Sequence, residues 1–82
     1  MQSAQKIIGL NIKLARIKNG YSQAELADKL SVEQSYISRV ESGKVAVSCE
    51  RIYEIIHLLD CEASDIFPES KEVVTSFNKC MK

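Results

Sequence analysis

The sequence predicts an all-α domain of five short helices, with an additional helix at the C-terminus. Apolar residues recur at spacings of three and four and do not alternate for long, which indicates helices rather than strands. Serine residues stand directly before several of these apolar runs, where helix N-caps are expected. A chain of 82 residues, 45% of them hydrophobic, is large enough for one compact domain and too small for two. Its core is thin, which disfavours a deep catalytic cleft.

The first helix, predicted over about Ala4–Lys18, is apolar on two sides. The side expected to face the core carries Ile8, Ile12 and Ala15. The opposite side carries Ile7, Leu10, Leu14 and Ile17. Since a five-helix domain covers a terminal helix on one side only, part of this second stripe should be exposed.

Two short helices follow, joined by a tight turn. The second helix begins at a capping box, Ser22-Gln23-Ala24-Glu25, and runs to about Leu30. The third is predicted to start from a similar box, Ser31-Val32-Glu33-Gln34, and to stop at Gly43. Helices joined so tightly need a small residue at their closest approach and apolar residues at fixed offsets. The chain supplies Leu26, Ala27, Leu30, Val32, Ile37 and Val40. This is the inward-facing set of a DNA-binding helix-turn-helix.

A fourth helix is predicted from a Ser48 cap to about Asp60, and a short fifth helix around Ala63 to Phe67 is stopped by Pro68. The core face of the fourth helix is expected to carry Cys49, Ile52, Ile55, Ile56 and Leu59. We therefore assign residues 1–68 to a helix-turn-helix DNA-binding domain, with the motif itself at about 22–42.

Residues 69–82 form a separate C-terminal extension. Ser70 can cap a short amphipathic helix in it. One face of that helix would carry Val73, Val74, Phe77, Cys80 and Met81. Our hypothesis is that this sixth helix covers Ile7, Leu10 and Leu14, within the chain or across a dimer. The alternative is a frayed tail.

The formal net charge is zero, but the charges are distributed unevenly. Residues 1–44 carry seven basic and four acidic side chains, and residues 45–82 carry four basic and seven acidic ones. This polarity favours nucleic-acid contact on one side of the molecule. The outer side of the third helix is polar and rich in hydrogen-bonding groups, which suits the reading of base edges: Glu33, Gln34, Ser35, Tyr36, Ser38, Arg39 and Ser42.

Catalysis, metal binding and membrane insertion have little support. His57 has no evident nucleophile or orienting acid, and no phosphate-binding loop is present. His57 and Cys61 lie one helical turn apart, with Cys49 as a conceivable third metal ligand, but buried or solvated structural roles are commoner for such residues. No window reaches the roughly 20 apolar residues that span a bilayer, and no leader pattern is present. We expect a cytoplasmic protein without a cofactor or a metal.

Two stretches resemble a known family. They are Tyr21-Ser22-Gln23-Ala24-Glu25-Leu26-Ala27 and Tyr36-Ile37-Ser38-Arg39-Val40-Glu41-Ser42-Gly43-Lys44. Together they are similar to the "sQ-x-x-LA … yIS-x-x-E-x-G" signature of the lambda-repressor-like, Cro-type (Xre) helix-turn-helix regulators of bacteria and their phages. The resemblance spans roughly Ile8 to Phe67. It implies a compact five-helix lambda-repressor-like domain and a DNA-binding transcriptional regulator, usually a homodimeric repressor or activator on an inverted-repeat operator.

The resemblance also implies roles for individual residues. The side chains that would reach base edges are Gln34, Ser35, Tyr36, Ser38 and Arg39, although Tyr36 could instead cover the edge of the core. Those that would contact phosphates are Ser22, Gln23, Ser42 and Lys44. Arg16 and Glu41 would form a partly buried ion pair that ties the first helix to the end of the third.

A dimer surface is expected around the fifth helix. The residues that could form a self-complementary patch there are Leu58, Cys61, Ala63, Ile66 and Phe67. The third helix of each protomer would then act as its recognition helix, and the two would enter successive major grooves about 34 Å apart.

The chain departs from the family pattern at two places. Ser31 occupies a turn position that is often Gly, and must adopt a mildly costly conformation there. The loop after Lys44 reads Val45-Ala46-Val47 where many relatives carry basic residues or Pro. Few phosphates should therefore be neutralised, and DNA binding should depend only weakly on salt.

The main hypothesis is thus a homodimeric, sequence-specific regulator that binds double-stranded DNA. The alternative is a DNA-binding antitoxin or protein-interaction module whose C-terminal segment engages a partner protein. Whether residues 69–82 order alone or only with a partner separates the two.

Overall fold

The computed structural model describes residues 3–69, and in this range the chain forms five α-helices and no strand. Their bounds are Ala4–Lys18 (α1), Gln23–Leu30 (α2), Gln34–Glu41 (α3), Cys49–Leu59 (α4) and Ala63–Ile66 (α5). The predicted all-α architecture is confirmed, and the predicted starts and ends agree with these bounds within one or two residues. The predicted sixth helix lies outside the described residues.

Serine N-caps begin three of the helices, and those of α2 and α4 were predicted. The hydroxyls of Ser3, Ser22 and Ser48 accept backbone N–H groups in the first turns of α1, α2 and α4. At α2 the full capping box forms: the Glu25 N–H donates to Ser22 Oγ at 3.0 Å, and the Ser22 N–H donates to Glu25 Oε1 at 2.8 Å. The bond from the Ser22 backbone holds the pKa of the Glu25 carboxyl below its usual value, helped by the Ser22 side chain.

The second predicted capping box, at Ser31, is wrong. Ser31 instead closes α2 in the left-handed conformation, with φ 59° and ψ 41°. The N-cap of α3 is Glu33, whose side chain makes no capping hydrogen bond. The short connection requires Ser31 to reverse the chain, and the Val32 N–H then donates to the Ala27 carbonyl at 2.9 Å. The same residue cannot also serve as the extended N-cap of the next helix.

One apolar core joins all five helices. Its fully buried large side chains are Ile12, Leu26, Ile37, Ile52, Ile55, Leu59, Ile66 and Val40. Ile8 packs against this core while Leu10, Leu14 and Ile17 remain exposed, as predicted for the two sides of α1. Ile7, which was predicted on the same side as Leu10, is half-buried. Cys49 was expected on the core face of α4 but is exposed, because it is the first residue of the helix and extends past the packed turns.

Candidate nucleic-acid interface

The outer side of α3 is a row of free hydrogen-bonding groups. Gln34, Ser35, Ser38 and Arg39 are all exposed. The opposite side of the same helix is fixed in the core by Ile37 and Val40, which are 1% and 2% exposed. Since α3 has only eight residues, these two anchors determine which way the polar side chains face. The result is a short rigid helix with a polar outer side.

Tyr36 differs from its neighbours on α3. It is half-buried and packs against the apolar core. Its ring therefore covers an edge of the core, which was the second of the two roles expected for it.

Arg16 and Glu41 form a buried ion pair. Arg16 Nε lies 2.7 Å from Glu41 Oε2, and Arg16 Nη2 donates to Glu41 Oε1 at 3.1 Å. The remaining guanidinium nitrogen, Nη1, donates to the Tyr21 carbonyl at 2.8 Å. Both charged side chains are less than one-tenth exposed. The fork-like pairing links α1, the loop before α2 and the last residue of α3.

Gln23 belongs to the same network, a link that the sequence did not reveal. Its Nε2 donates to Glu41 Oε1 at 3.0 Å. An amide nitrogen carries two hydrogens, so one of them stays available for another acceptor. Gln23 is also the first residue of α2, where free backbone N–H groups and the helix dipole favour an anion.

The other candidate phosphate contacts differ in whether their side chains are already hydrogen-bonded within the protein. The Ser22 hydroxyl accepts the Glu25 N–H, which leaves its own hydrogen free to donate. The Ser42 hydroxyl donates to the Arg39 carbonyl at 3.1 Å, so it must give up that bond to donate to a phosphate. Lys44 is exposed directly after α3, and its backbone N–H donates to the Arg39 carbonyl at 2.9 Å.

The first turns of α1 lie beside the end of α3, and this contact was missed from the sequence. A Cβ at Gly9 would overlap the Val40 carbonyl oxygen, so the two backbones touch there. Gln5 Nε2 donates to the Gly43 carbonyl at 2.7 Å, and a Cβ at Gly43 would collide with Lys6. A buried glycine inside an otherwise helical pattern was the available signal for this close approach. The exposed Lys6 thus lies next to the start of the loop after α3.

The expected dimer patch needs one correction. Ile66 is 0% exposed and belongs to the core, because α5 packs against both α1 and α4, so it offers no surface to a second molecule. The other residues of the patch, Leu58, Cys61, Ala63 and Phe67, are half-buried. Burial, followed by the charge of Asp65, raises the pKa of the Cys61 thiol.

Residues 3–69 contain no group of three or more His, Cys, Asp or Glu side chains that could hold a metal ion. No helix in the same part of the chain is long and apolar enough to cross a membrane.

Comparison with known proteins gives a consistent result. A sequence profile described as helix-turn-helix matches residues 12–66. Antitoxin HipB of Escherichia coli strain K12 is 33% identical in an alignment of 82 positions that covers 88% of this chain and 93% of HipB.

Solved structures agree with the sequence matches. The restriction-modification controller protein C.AhdI from Aeromonas hydrophila superposes with a TM-score of 0.70 at 30% identity, covering 77% of this chain and 96% of C.AhdI. The clp gene regulator ClgR from C. glutamicum superposes with a TM-score of 0.72 at 27% identity, covering 77% of this chain and 81% of ClgR.

Proposed function

Because the chain belongs to the lambda-repressor-like, Cro-type (Xre) family of helix-turn-helix DNA-binding regulators, we propose that it recognises a specific double-stranded operator as a homodimer. The observation that carries this proposal is the exposed polar side of α3, held outward by Ile37 and Val40 in the core. As a DNA-binding regulator the protein is not an enzyme, and the proposed site binds without catalysing a reaction.

Four side chains of α3 are proposed to read bases. The Gln34 amide can donate to N7 and accept from N6 of adenine, and the Arg39 guanidinium can fork onto O6 and N7 of guanine. The hydroxyls of Ser35 and Ser38 can donate or accept. Because α3 is short and anchored on its inner side, these groups would enter the major groove as one unit.

Phosphate contacts are proposed at both ends of the helix-turn-helix. Gln23 and Ser22 would bind one phosphate through the free amide hydrogen and hydroxyl hydrogen described above, supported by the N-terminus of α2. Lys44 would bind another, with Ser42 next to it and with Lys6 brought to the same region by the contact between Gln5 and Gly43. Such contacts fix the register of the protein on the duplex without reading sequence.

The proposed homodimer would use the half-buried residues around α5. Leu58, Cys61, Ala63 and Phe67 form the patch that remains once Ile66 is assigned to the core. A two-fold axis there would present two copies of α3 to half-sites about 34 Å apart, so the operator would be a pseudo-palindrome.

Selection from a random duplex library tests this function. We expect an enriched pseudo-palindrome, and we expect Gln34→Ala and Arg39→Ala each to lose about 1–3 kcal/mol of binding free energy and to relax preference at defined base pairs. Glu54→Ala, an exposed change on α4, is the matched control and should leave the selected sequence unchanged. Equal weakening on every sequence would show that Gln34 and Arg39 contact only the backbone.

A second candidate function is that of a DNA-binding antitoxin, favoured by the 33% identity to antitoxin HipB over most of both chains. In that case the protein would also neutralise a toxin through direct binding, with residues 69–82 as the proposed contact. Growth assays can test this by expressing the protein encoded beside this chain with and without the chain. Relief of a growth arrest supports the antitoxin role, and a neighbour that is harmless by itself contradicts it.

A further inference from the structure

An apolar strip runs along the outer face of α1, formed by Leu10, Leu14 and Ile17. These side chains are 45%, 55% and 54% exposed. Their spacing of four and three residues places them in one line on the helix. They are three of the four large hydrophobic side chains that are exposed within residues 3–69. The outer face of α1 is therefore a concentrated apolar surface, whereas the rest of the domain exposes such residues singly.

A groove deepens this surface beside Leu14. Its volume is about 280 Å³. It lies between α1 and the segment that joins α4 to α5, and its main lining residues are Asn11, Leu14, Lys18, Asp60, Cys61 and Asp65. Most of this lining is polar or charged, so the groove adds depth beside Leu14 and offers hydrogen-bonding groups at the edge of the apolar strip.

The chain leaves the described domain close to this face. Asn11, which lies between Leu10 and Leu14 on α1, donates from Nδ2 to the Ile66 carbonyl at 2.9 Å. Ser70 follows Ile66 by four residues, so it begins within about 14 Å of that bond even when the connection is fully extended. The described part of the chain therefore ends within reach of the outer face of α1.

The sequence of residues 70–82 matches what this face requires. Val73 is followed by apolar residues one, four, seven and eight positions later: Val74, Phe77, Cys80 and Met81. This spacing gives one apolar side to a helix. A helix over residues 70–82 would be about 20 Å long, and the axial distance from Leu10 to Ile17 is about 10 Å. The segment is long enough to cover the strip with room for its connection.

We propose that residues 70–82 dock as an amphipathic helix on the outer face of α1 in the same molecule, with apolar side chains on Leu10, Leu14 and Ile17. The exposed strip amounts to a few hundred Å², below the roughly 600–800 Å² that each partner buries in a stable interface between proteins. A tethered segment needs less area, because its short connection holds it at an effective concentration in the millimolar range. This docking is independent of the proposed DNA contacts, and it excludes use of the same apolar side of residues 70–82 for the toxin contact of the second candidate function.

Hydrogen exchange on the full chain tests the docking. We expect amides in residues 70–82 to be protected, and Leu14→Asp to speed their exchange by about tenfold or more, since the change removes one large apolar contact. The amides of α2 to α5 should keep their protection, because the Leu14 side chain is more than half exposed within the described domain. Ala46→Asp, which adds the same carboxylate at an exposed position after α3, is the control and should leave residues 70–82 protected.

The alkylation rates of two native cysteines give a second test, this time with a substitution in the docking segment instead of in α1. Cys61 lines the groove, whereas Cys49 is exposed on α4 and serves as the internal reference. Phe77→Asp should raise the alkylation rate of Cys61 relative to Cys49 at a fixed pH and at a protein concentration low enough to keep the chain monomeric, because Cys61 also belongs to the proposed dimer patch. An unchanged ratio would contradict the docking.

Two further results would overturn the proposal. The first is that residues 70–82 of the unaltered protein exchange at the rates of an unstructured peptide, which would mean that they do not cover the outer face of α1. Protection that is lost on dilution, together with a fall in molecular mass, would assign the face to a second copy of the chain.

Discussion

Through its two carboxylate oxygens, Glu41 joins the ion pair that stabilises the fold to Gln23, the residue proposed to bind a phosphate. Oε2 is bound to Arg16 Nε at 2.7 Å, while Oε1 accepts from both Arg16 and Gln23. Arg16 and Glu41 are each 8% exposed, so neither charge is adequately solvated without the other. Every buried polar side-chain atom of the described residues has a hydrogen-bond partner. The pair therefore fixes the end of α3 relative to α1 and at the same time holds Gln23.

Removing one member of the pair should destabilise the fold strongly. We expect Glu41→Ala to lower the free energy of unfolding by about 3–5 kcal/mol, because it leaves the Arg16 charge buried and unpaired. Urea unfolding monitored by circular dichroism measures the change. The double variant Arg16→Met/Glu41→Leu removes both charges and should regain much of the loss. If Glu41→Ala unfolds like the unaltered protein, the pair is not holding the helices together.

The turn between α2 and α3 is the element that orients the recognition helix. Ser31 adopts φ 59° there, and Asp60 adopts φ 51° at the end of α4. The left-handed region costs most residues roughly 1–2 kcal/mol, but Asp tolerates it better because its side chain can bond locally to the backbone. The strain at the two helix ends is therefore unequal.

Glycine at these two positions should have different effects. We expect Ser31→Gly to raise the free energy of unfolding by about 0.5–1 kcal/mol, since the relief of strain exceeds the added entropy of the unfolded chain. Asp60→Gly should give a smaller gain, near zero. Thermal unfolding of both variants measures the difference, and a Ser31→Gly protein that melts earlier than the original would refute the strain argument.

The whole molecule has zero net charge, so its electrostatic attraction to DNA must come from a few basic side chains that lie at the DNA-facing surface. The structure brings Lys6 next to the loop that Lys44 begins, and residues 45–47 of that loop add no charge. A dimer that used both lysines of each protomer would neutralise about four phosphates, far fewer than proteins with dense backbone contacts.

Operator binding should therefore show a shallow salt dependence. We expect log Kobs to fall with log salt at a slope of about −4, and Lys44→Gln to flatten the slope by about 2 because each protomer loses one contact. Lys18→Gln, at the opposite end of α1 from Lys6, is the control and should not alter the slope. A slope near −10 in fluorescence anisotropy titrations would mean that many other cations touch the backbone.

The sequence predicted well the features that depend on neighbouring residues. It predicted poorly the features that depend on contacts between helices. The caps at Ser22 and Ser48, the core-facing and outer sides of α1 and the polar outer side of α3 were correct because each depends on residues within one or two turns. Ser31 was predicted as the N-cap of α3 but is the C-cap of α2. A serine between two helices fits both roles, and only the path of the chain through the turn selects one of them. Cys49 and Ile66 were placed on the wrong surfaces because periodicity does not show where a neighbouring helix ends or packs.

By itself, the sequence determined the five helices of residues 3–69, their bounds to within one or two residues and the family to which the chain belongs, since capping, periodicity and a short signature are properties of contiguous residues. Tertiary structure decided that Gly9 lets α1 touch the end of α3, that Gln23 shares Glu41 with Arg16, and that Ile66 lies in the core. These features join residues far apart in the chain, and such pairings depend on how helices cross rather than on local preference.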